Sequence, residues 1–212
     1  MKIGILWDLD GTLLDTLDDL TDGTNYVMRQ FGYPQHSKDA VRRFVGNGAR
    51  KLMEHAVPAE KNVDEALAVF QTYYSAHCQI KTAPYPGIME ALAKLGEIYP
   101  MAIVSNKPDV AVKELCKDYF PGIFALGEHA GCPRKPAPDM VYRAMEAIGV
   151  ENCIYIGDSE VDILTAAGAK VPCLSVSWGF RSEQQLRESG AEVICTRTDK
   201  LTETIEEMIH GK

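Results

Sequence analysis

A rhythm with one interruption constrains this chain most. Short apolar runs recur at residues 3–9, 101–104, 123–126, 153–156, 173–176 and 193–195, with amphipathic stretches such as 110–118 and 138–148 between them. Runs this short and this uniformly apolar suit parallel strands buried on both faces, and their alternation with helical patterns predicts a doubly wound, Rossmann-like α/β sheet. From residue 17 to about residue 80 the rhythm stops, and four helical patterns follow one another at 17–31, 37–45, 49–57 and 63–80. They end at Lys81-Thr82-Ala83-Pro84-Tyr85-Pro86-Gly87, where two prolines and a glycine cannot continue a helix. The organisation expected is therefore an α/β core formed by residues 1–15 plus 84–212, with a helical insertion at 16–83.

In an open α/β sheet, ligands sit outside the carboxyl ends of the strands. Four strand ends here are polar in a related way: Asp8-Leu9-Asp10-Gly11-Thr12, Ser105-Asn106-Lys107, Lys135-Pro136, and Gly157-Asp158-Ser159-Glu160-Val161-Asp162. In extended backbone, residues i and i+2 point to one side, so Asp8 and Asp10 crowd one location. Two carboxylates that close raise a pKa unless a cation or a shared proton relieves them. The pair suits a nucleophile that attacks phosphorus beside a neighbour that moves a proton. Gly11 and Thr12 allow a sharp turn and offer backbone N–H groups to phosphate oxygens. Taken alone, Asp-Leu-Asp-Gly-Thr reads equally well as a strand-ending turn, and the company of the other three strand ends favours the catalytic reading.

Asp158 supplies a further oxygen to a hard cation such as Mg²⁺, while Asp162, one helical turn on, is expected to position rather than to ligate. Capping of the following helix by Asp158 or Ser159 is the alternative and is compatible with that role. Ser105 and Asn106 offer a hydroxyl and further donors to a phosphoryl group. Lys135 stands in a stiff loop with Pro136 and Pro138, where its ammonium offsets charge on nucleophile and phosphoryl group alike. A strand-ending Ser-Asn turn and a solvated surface Lys are the plainer readings of these residues in isolation.

These motifs together resemble the haloacid dehalogenase-like superfamily, whose phosphatases share a D-x-D-G-T loop, a strand-end Ser or Thr, a loop Lys and an acidic G-D-x-x-x-D pattern. The resemblance implies a phosphatase in which Asp8 is phosphorylated and Asp10 acts as general acid and then base. It further implies that Ser105 and Lys135 hold the phosphoryl group, and that Mg²⁺ is bound by Asp8, the Asp10 backbone carbonyl and Asp158. The insertion resembles the family's small helical cap, with hinges at Asp15-Thr16 and 83–86. Within it, Gly46-Asn47-Gly48-Ala49-Arg50 is similar to the substrate-facing loop of phosphoglycolate phosphatases, which makes Gly48 and Arg50 expected substrate contacts; a turn between helices with solvated cations is the alternative. Ser105-Asn106-Lys107-Pro108 and Val176-Ser177-Trp178-Gly179 look like the same subfamily. Trp7 replaces the more usual Phe before the nucleophile, and Ala167-Gly168-Ala169-Lys170 departs from the common Arg-Asn-Ala-Gly run. Neither change removes a catalytic group.

The expected reaction is hydrolysis of a small phosphorylated metabolite, with 2-phosphoglycolate the first candidate. The alternatives are a pyrophosphatase, a sugar-phosphate phosphatase or mutase on the same fold, and, more remotely, a phosphate-binding protein without turnover. Composition sets the remaining bounds. Lys and Arg number 22 against 30 Asp and Glu, a formal charge of −8, which lacks the basic footprint of a nucleic-acid or anionic-membrane binder. Six widely spaced cysteines without a C-x-x-C pair read as buried reduced thiols. A cytoplasmic monomer or homodimer is expected. One cation at about 4 Å contributes on the order of 4 kcal/mol at an effective dielectric of ~20, before desolvation, so Mg²⁺ and Lys135 are expected to outweigh the diffuse negative charge, with help from Lys107, Arg50 and Lys51.

Overall fold

The computed structural model describes residues 2–211. The chain divides into two compact units, Met1–Leu14 with Pro84–Lys212, and Asp15–Ala83.

The first unit is built on six parallel strands: β1 (Ile3–Trp7), β4 (Met101–Pro108), β5 (Phe124–Glu128), β6 (Asn152–Gly157), β7 (Cys173–Val176) and β8 (Val193–Cys195). Their spatial order is β5-β4-β1-β6-β7-β8, every neighbouring pair parallel. With β4 on one side and β6 on the other, β1 lies where the strand order reverses, and in such sheets that is where ligands bind. Successive side chains feed opposite faces. Ile5 and Trp7 of β1, Ile103 of β4, and Ile154 and Ile156 of β6 enter one apolar cluster, whereas Leu6, Ala102, Val104, Cys153 and Tyr155 enter another. Helices α5 (Ile88–Gly96), α6 (Asp109–Tyr119) and α10 (Leu201–His210) cover the first face, and α7 (Asp139–Ile148) and α8 (Glu160–Ala169) the second. Burial on both sides is why these strands read as continuous apolar runs. A short α9 (Glu183–Glu188) opens on a capping box in which Ser182 and Gln185 bond reciprocally.

The second unit is helical throughout: α1 (Leu17–Phe31), α2 (Lys38–Phe44), α3 (Gly48–Ala56) and α4 (Val63–His77). Leu17, Leu20, Val27 and Met28 form the buried stripe of α1, which ends at Gly32 in the left-handed region, φ 67°. Asn62 caps α4 by accepting from the N–H groups of Asp64 and Glu65. Rings of Tyr26, Tyr73 and His77 stack in series at centroid distances of 4.0 and 3.9 Å. The buried carboxylate of Asp19 accepts from the N–H groups of Lys81 and Thr82 and from the Thr82 hydroxyl, at 2.9–3.0 Å. It thereby ties the first helix of the unit to its last residues. Where the chain crosses between units, β2 (Leu14–Asp15) and β3 (Ala83–Pro84) form a two-stranded sheet.

Strand and helix positions depart from the sequence expectation by a few residues. β1 stops at Trp7, two residues before the end of its apolar run, because Leu9 already belongs to the turn in which Leu13 and Leu14 donate to the Leu9 carbonyl. β4 runs four residues past its apolar run to Pro108, through a register shift against β5. The helix expected over 63–80 ends at His77. All six cysteines are free; five are buried and Cys173 is half-buried. Burial pushes the thiols of Cys116, Cys153 and Cys173 up to about 12, which leaves them as unreactive thiols. No helix among the described residues is long and apolar enough to cross a membrane.

Candidate active site

The turn after β1 carries Asp8, Asp10, Gly11 and Thr12. Gly11 adopts φ 85°, and a Cβ there would lie 2.3 Å from an Asp158 carboxylate oxygen. Only glycine lets this turn approach the acidic loop after β6 so closely. Asp8 is buried, and Lys135 Nζ lies 2.7 Å from its Oδ1. The same ammonium is 2.7 Å from Asp162 Oδ1 and 3.0 Å from the Tyr155 hydroxyl, so each of the three ammonium protons has an oxygen within reach. Lys135 is 2% exposed, and its peptide bond to Pro136 is cis.

Asp162 is completely buried. Its second oxygen accepts from the Ser159 N–H at 3.1 Å and the Ser159 hydroxyl at 2.7 Å, closing the first turn of α8. A Cβ on Gly157 would fall 2.2 Å from the Asp162 carboxyl carbon. That clearance explains the glycine at the strand end. Asp8, Asp158 and Asp162 present carboxylate oxygens within 4.8 Å of one another.

Three buried carboxylates against one ammonium leave an excess of two negative charges. Burial, and then Asp162, push the Asp8 carboxyl up to about 7 despite Lys135. Burial, Asp162 and Asp8 raise Asp158 well above the usual carboxylate range. Burial lowers the pKa of Lys135, but Asp162 and Asp8 outweigh it and hold the ammonium protonated. A divalent hard cation fits this donor set, because it balances the charge and its preferred ligands are oxygens. Both oxygens of Asp162 are engaged, Oδ1 by Lys135 and Oδ2 by Ser159. By contrast, Lys135 engages Oδ1 of Asp8 and the Phe180 N–H engages Oδ2 of Asp158, so Asp8 and Asp158 are the better placed to hold such an ion.

The end of β4 meets this cluster through Asn106 and Lys107, with Ser105 bonded to the backbone of Lys107. Ser105 Oγ accepts from the Lys107 N–H at 3.2 Å, Asn106 Nδ2 donates to the Lys135 carbonyl at 3.0 Å, and Lys107 Nζ lies 2.8 Å from Asp10 Oδ1. Asp8 and Asp10, two residues apart on one turn, thus take different cations. Thr12 Oγ1 is buried and has no hydrogen-bond partner among the described residues.

Sequence reasoning marked Val176-Ser177-Trp178-Gly179 only as a likeness to relatives and missed what the strap after β7 holds. Trp178 Nε1 donates to the Thr12 carbonyl at 3.1 Å, the Phe180 N–H to Asp158 Oδ2 at 2.6 Å, and Arg181 to both oxygens of Glu160 at 2.8 and 3.0 Å. A backbone donor leaves no mark in a sequence, although the Trp-Gly pair at 178–179 was a usable signal. Tyr155 was hidden inside an apolar run, and Lys107 was expected only as a loose cation for substrate. Gly48 and Arg50 belong to the helical unit, where Arg50 is ion-paired with Asp64 and Lys51 with Glu54.

A parallel sheet with a carboxylate, an ammonium and an acidic cluster at the carboxyl ends of its strands marks a doubly wound α/β protein with a site suited to a hard cation and an anionic ligand. The sequence model of the haloacid dehalogenase-like hydrolases matches residues 5–176, and the chain belongs to that family. Within it the chain stands with the phosphoglycolate phosphatase-like members, and it is a phosphatase. It is 31% identical to phosphoglycolate phosphatase 1 of Pseudomonas aeruginosa over 90% of this chain and 75% of that protein. It is 30% identical to a phosphoglycolate phosphatase of Mesorhizobium japonicum over 97% and 95% of the two chains. A crystal structure from Lactobacillus delbrueckii subsp. bulgaricus, described as that of a candidate phosphoglycolate phosphatase, superposes with a TM-score of 0.90 at 38% identity, covering 97% of this chain and 99% of that one.

Proposed function

We propose that this phosphatase is Mg²⁺-dependent and hydrolyses a small anionic phosphomonoester, 2-phosphoglycolate foremost, through a phosphorylated Asp8. The observation that carries this reading is Asp8 itself: a buried carboxylate set 2.7 Å from Lys135 and in one cluster with Asp158.

Asp8 and Asp158, with the Asp10 backbone carbonyl, would hold Mg²⁺, which supplies positive charge against the phosphoryl oxygens and keeps Asp8 ionised. An oxygen of Asp8 forms a bond to phosphorus as the bond from phosphorus to the leaving oxygen breaks, and Asp10 gives that oxygen a proton. A water molecule then attacks phosphorus and loses a proton to Asp10. Cleavage of the bond between phosphorus and Asp8 restores the enzyme and releases phosphate. Lys135, Ser105, Asn106 and the N–H groups of Gly11 and Thr12 hold the phosphoryl oxygens, and Lys135 also draws charge from Asp8 as it attacks. Asp162 holds Lys135 rather than substrate. In this reading the helical unit acts as the cap that selects substrate, with Gly48 and Arg50 as its contacts and Asp15-Thr16 and 83–86 as hinges.

With Mg²⁺ present, the protein is expected to release phosphate from a panel of phosphomonoesters, small acidic ones foremost, and Asp8→Asn to lower that release by more than about 10³-fold. Substantial activity in the variant overturns the mechanism. A mutase or a pyrophosphatase would show instead as an isomer product or as a preference for pyrophosphate.

A further inference from the structure

The reaction above makes Asp10 move a proton in both halves, yet nothing in that account assigns a residue to hold its carboxylate. We propose that Lys107 is the positioning residue for Asp10, an inference that rests on the acid–base reading of Asp10.

Three observations carry it. First, the Lys107 side chain is 4% exposed and its ammonium lies 2.8 Å from Asp10 Oδ1. A solvated lysine that merely attracts anions has no reason to be buried, and a buried ammonium on a carboxylate is a fixed one. Second, the backbone of Lys107 is itself fixed. Its N–H donates to Ser105 Oγ at 3.2 Å, and the next residue, Pro108, pairs with Glu128 of β5 beyond a register shift. Across that shift Asn106 reaches the Lys135 carbonyl and the next residue, Lys107, reaches Asp10, where a regular strand would alternate consecutive side chains between faces. Third, Asp8 and Asp10 do not share a cation: Lys135 takes the first with Asp162, and Lys107 takes the second.

With Oδ1 held by Lys107, the Asp10 carboxyl has one defined rotamer, and Oδ2 is the oxygen left to exchange a proton with the leaving group and then with water. Lys107 touches neither phosphorus nor the leaving oxygen in this scheme. It acts by fixing where the proton-bearing atom stands, and a displacement of about 1 Å at such an atom costs on the order of 10²-fold in rate.

The test uses leaving groups of different basicity. A phosphomonoester of an aliphatic alcohol needs its leaving oxygen protonated, whereas p-nitrophenyl phosphate leaves as a stable anion. kcat/KM covers only the steps up to the first irreversible one, here transfer to Asp8, so slow dephosphorylation does not obscure it. Asp10→Asn is expected to lower kcat/KM for the alkyl substrate by about 10²–10⁴-fold and for p-nitrophenyl phosphate far less. Lys107→Met is expected to show the same asymmetry at smaller size, about 10–10²-fold on the alkyl substrate and under about 3-fold on the aryl one. Lys107→Gln, which keeps a neutral N–H donor one bond shorter, is expected to recover part of the loss, and it carries the test if Lys107→Met does not fold. Equal losses on both substrates, or none, overturn the role of Lys107. Absence of the asymmetry in Asp10→Asn itself overturns the acid–base reading and takes this inference with it.

Discussion

Asp8 combines two demands that oppose each other in a folded protein: it must be buried, and it must be charged to attack. Burial and Asp162 push its carboxyl from 3.8 up to about 7. The sign of the consequence follows from linkage: a folded state that binds a proton more tightly than the unfolded chain loses stability as pH rises from the unfolded value through the folded one. In metal-free protein, Asp8→Asn therefore gains thermal stability relative to wild type as pH is raised from about 5 to about 8, and the gap levels off above. Added Mg²⁺ reverses the relation. If it binds the ionised carboxylate as proposed, it is expected to raise the wild-type Tm more at about pH 8 than at about pH 5. Scanning calorimetry of both proteins, with chelator and with Mg²⁺, checks this; a difference in Tm that does not change with pH contradicts it. Lys135 does not remove the demand for an ion, since its charge is shared between Asp8 and Asp162. Asp8, Asp10, Ser105 and Asp158 were legible in sequence because they follow apolar runs, and a strand end has one address in this fold; Lys135 was legible as a lysine in a loop stiffened by Pro136 and Pro138. The division of Asp8 and Asp10 between Lys135 and Lys107 was not, since two carboxylates two residues apart on a turn diverge through backbone angles that no residue pattern records.

At the scale of elements, the site is held by loops that contain no reacting group. The strap of 177–181 ties Thr12, Asp158 and Glu160 together through one indole, one backbone N–H and one guanidinium. Its tightest point is Gly179, where a Cβ would lie 2.2 Å from the Gly11 carbonyl oxygen and 2.4 Å from Asp158 Oδ2. A backbone atom cannot step aside as a flexible side chain can. Gly179→Ala is thus expected to cost about 1–3 kcal/mol in urea unfolding, and to weaken Mg²⁺ binding because Asp158 must move. A variant with wild-type stability and wild-type Mg²⁺ affinity contradicts the role given to the strap. Glu160 reflects the same contact: burial raises its pKa, but the hydrogen bond and charge of Arg181 outweigh that and hold it below its usual value. The strands and the four inserted helices could be read from periodicity, since a buried parallel strand and an amphipathic helix leave opposite patterns. Their ends could not. β4 continues into polar Ser105-Asn106-Lys107 because hydrogen bonding, not side-chain apolarity, decides where a strand stops.

At the scale of the molecule, the first of the two units carries every residue of the proposed phosphoryl chemistry, and the second carries Gly48 and Arg50. An insertion between the first strand and the remainder leaves the order of the parallel sheet intact, which is why the fold class survived as a readable rhythm on both sides of it. The buried Asp19 closes the inserted unit on its own ends, a long-range contact invisible in sequence because its partners, two backbone N–H groups and one hydroxyl, lie about 60 residues away. The formal charge of −8 is no obstacle to a phosphate site in the proposed reading, since a divalent cation on Asp8 and Asp158 would balance the two negative charges that Lys135 leaves uncompensated there. The central claim is that the phosphoryl group passes through Asp8. Its most direct test is mass spectrometry of rapidly acid-quenched enzyme turning over a phosphomonoester with Mg²⁺. One added phosphoryl group is expected, localised to Asp8 and absent in Asp8→Asn; phosphate release with no phosphoryl group on Asp8, or with one on another residue, would contradict passage through Asp8.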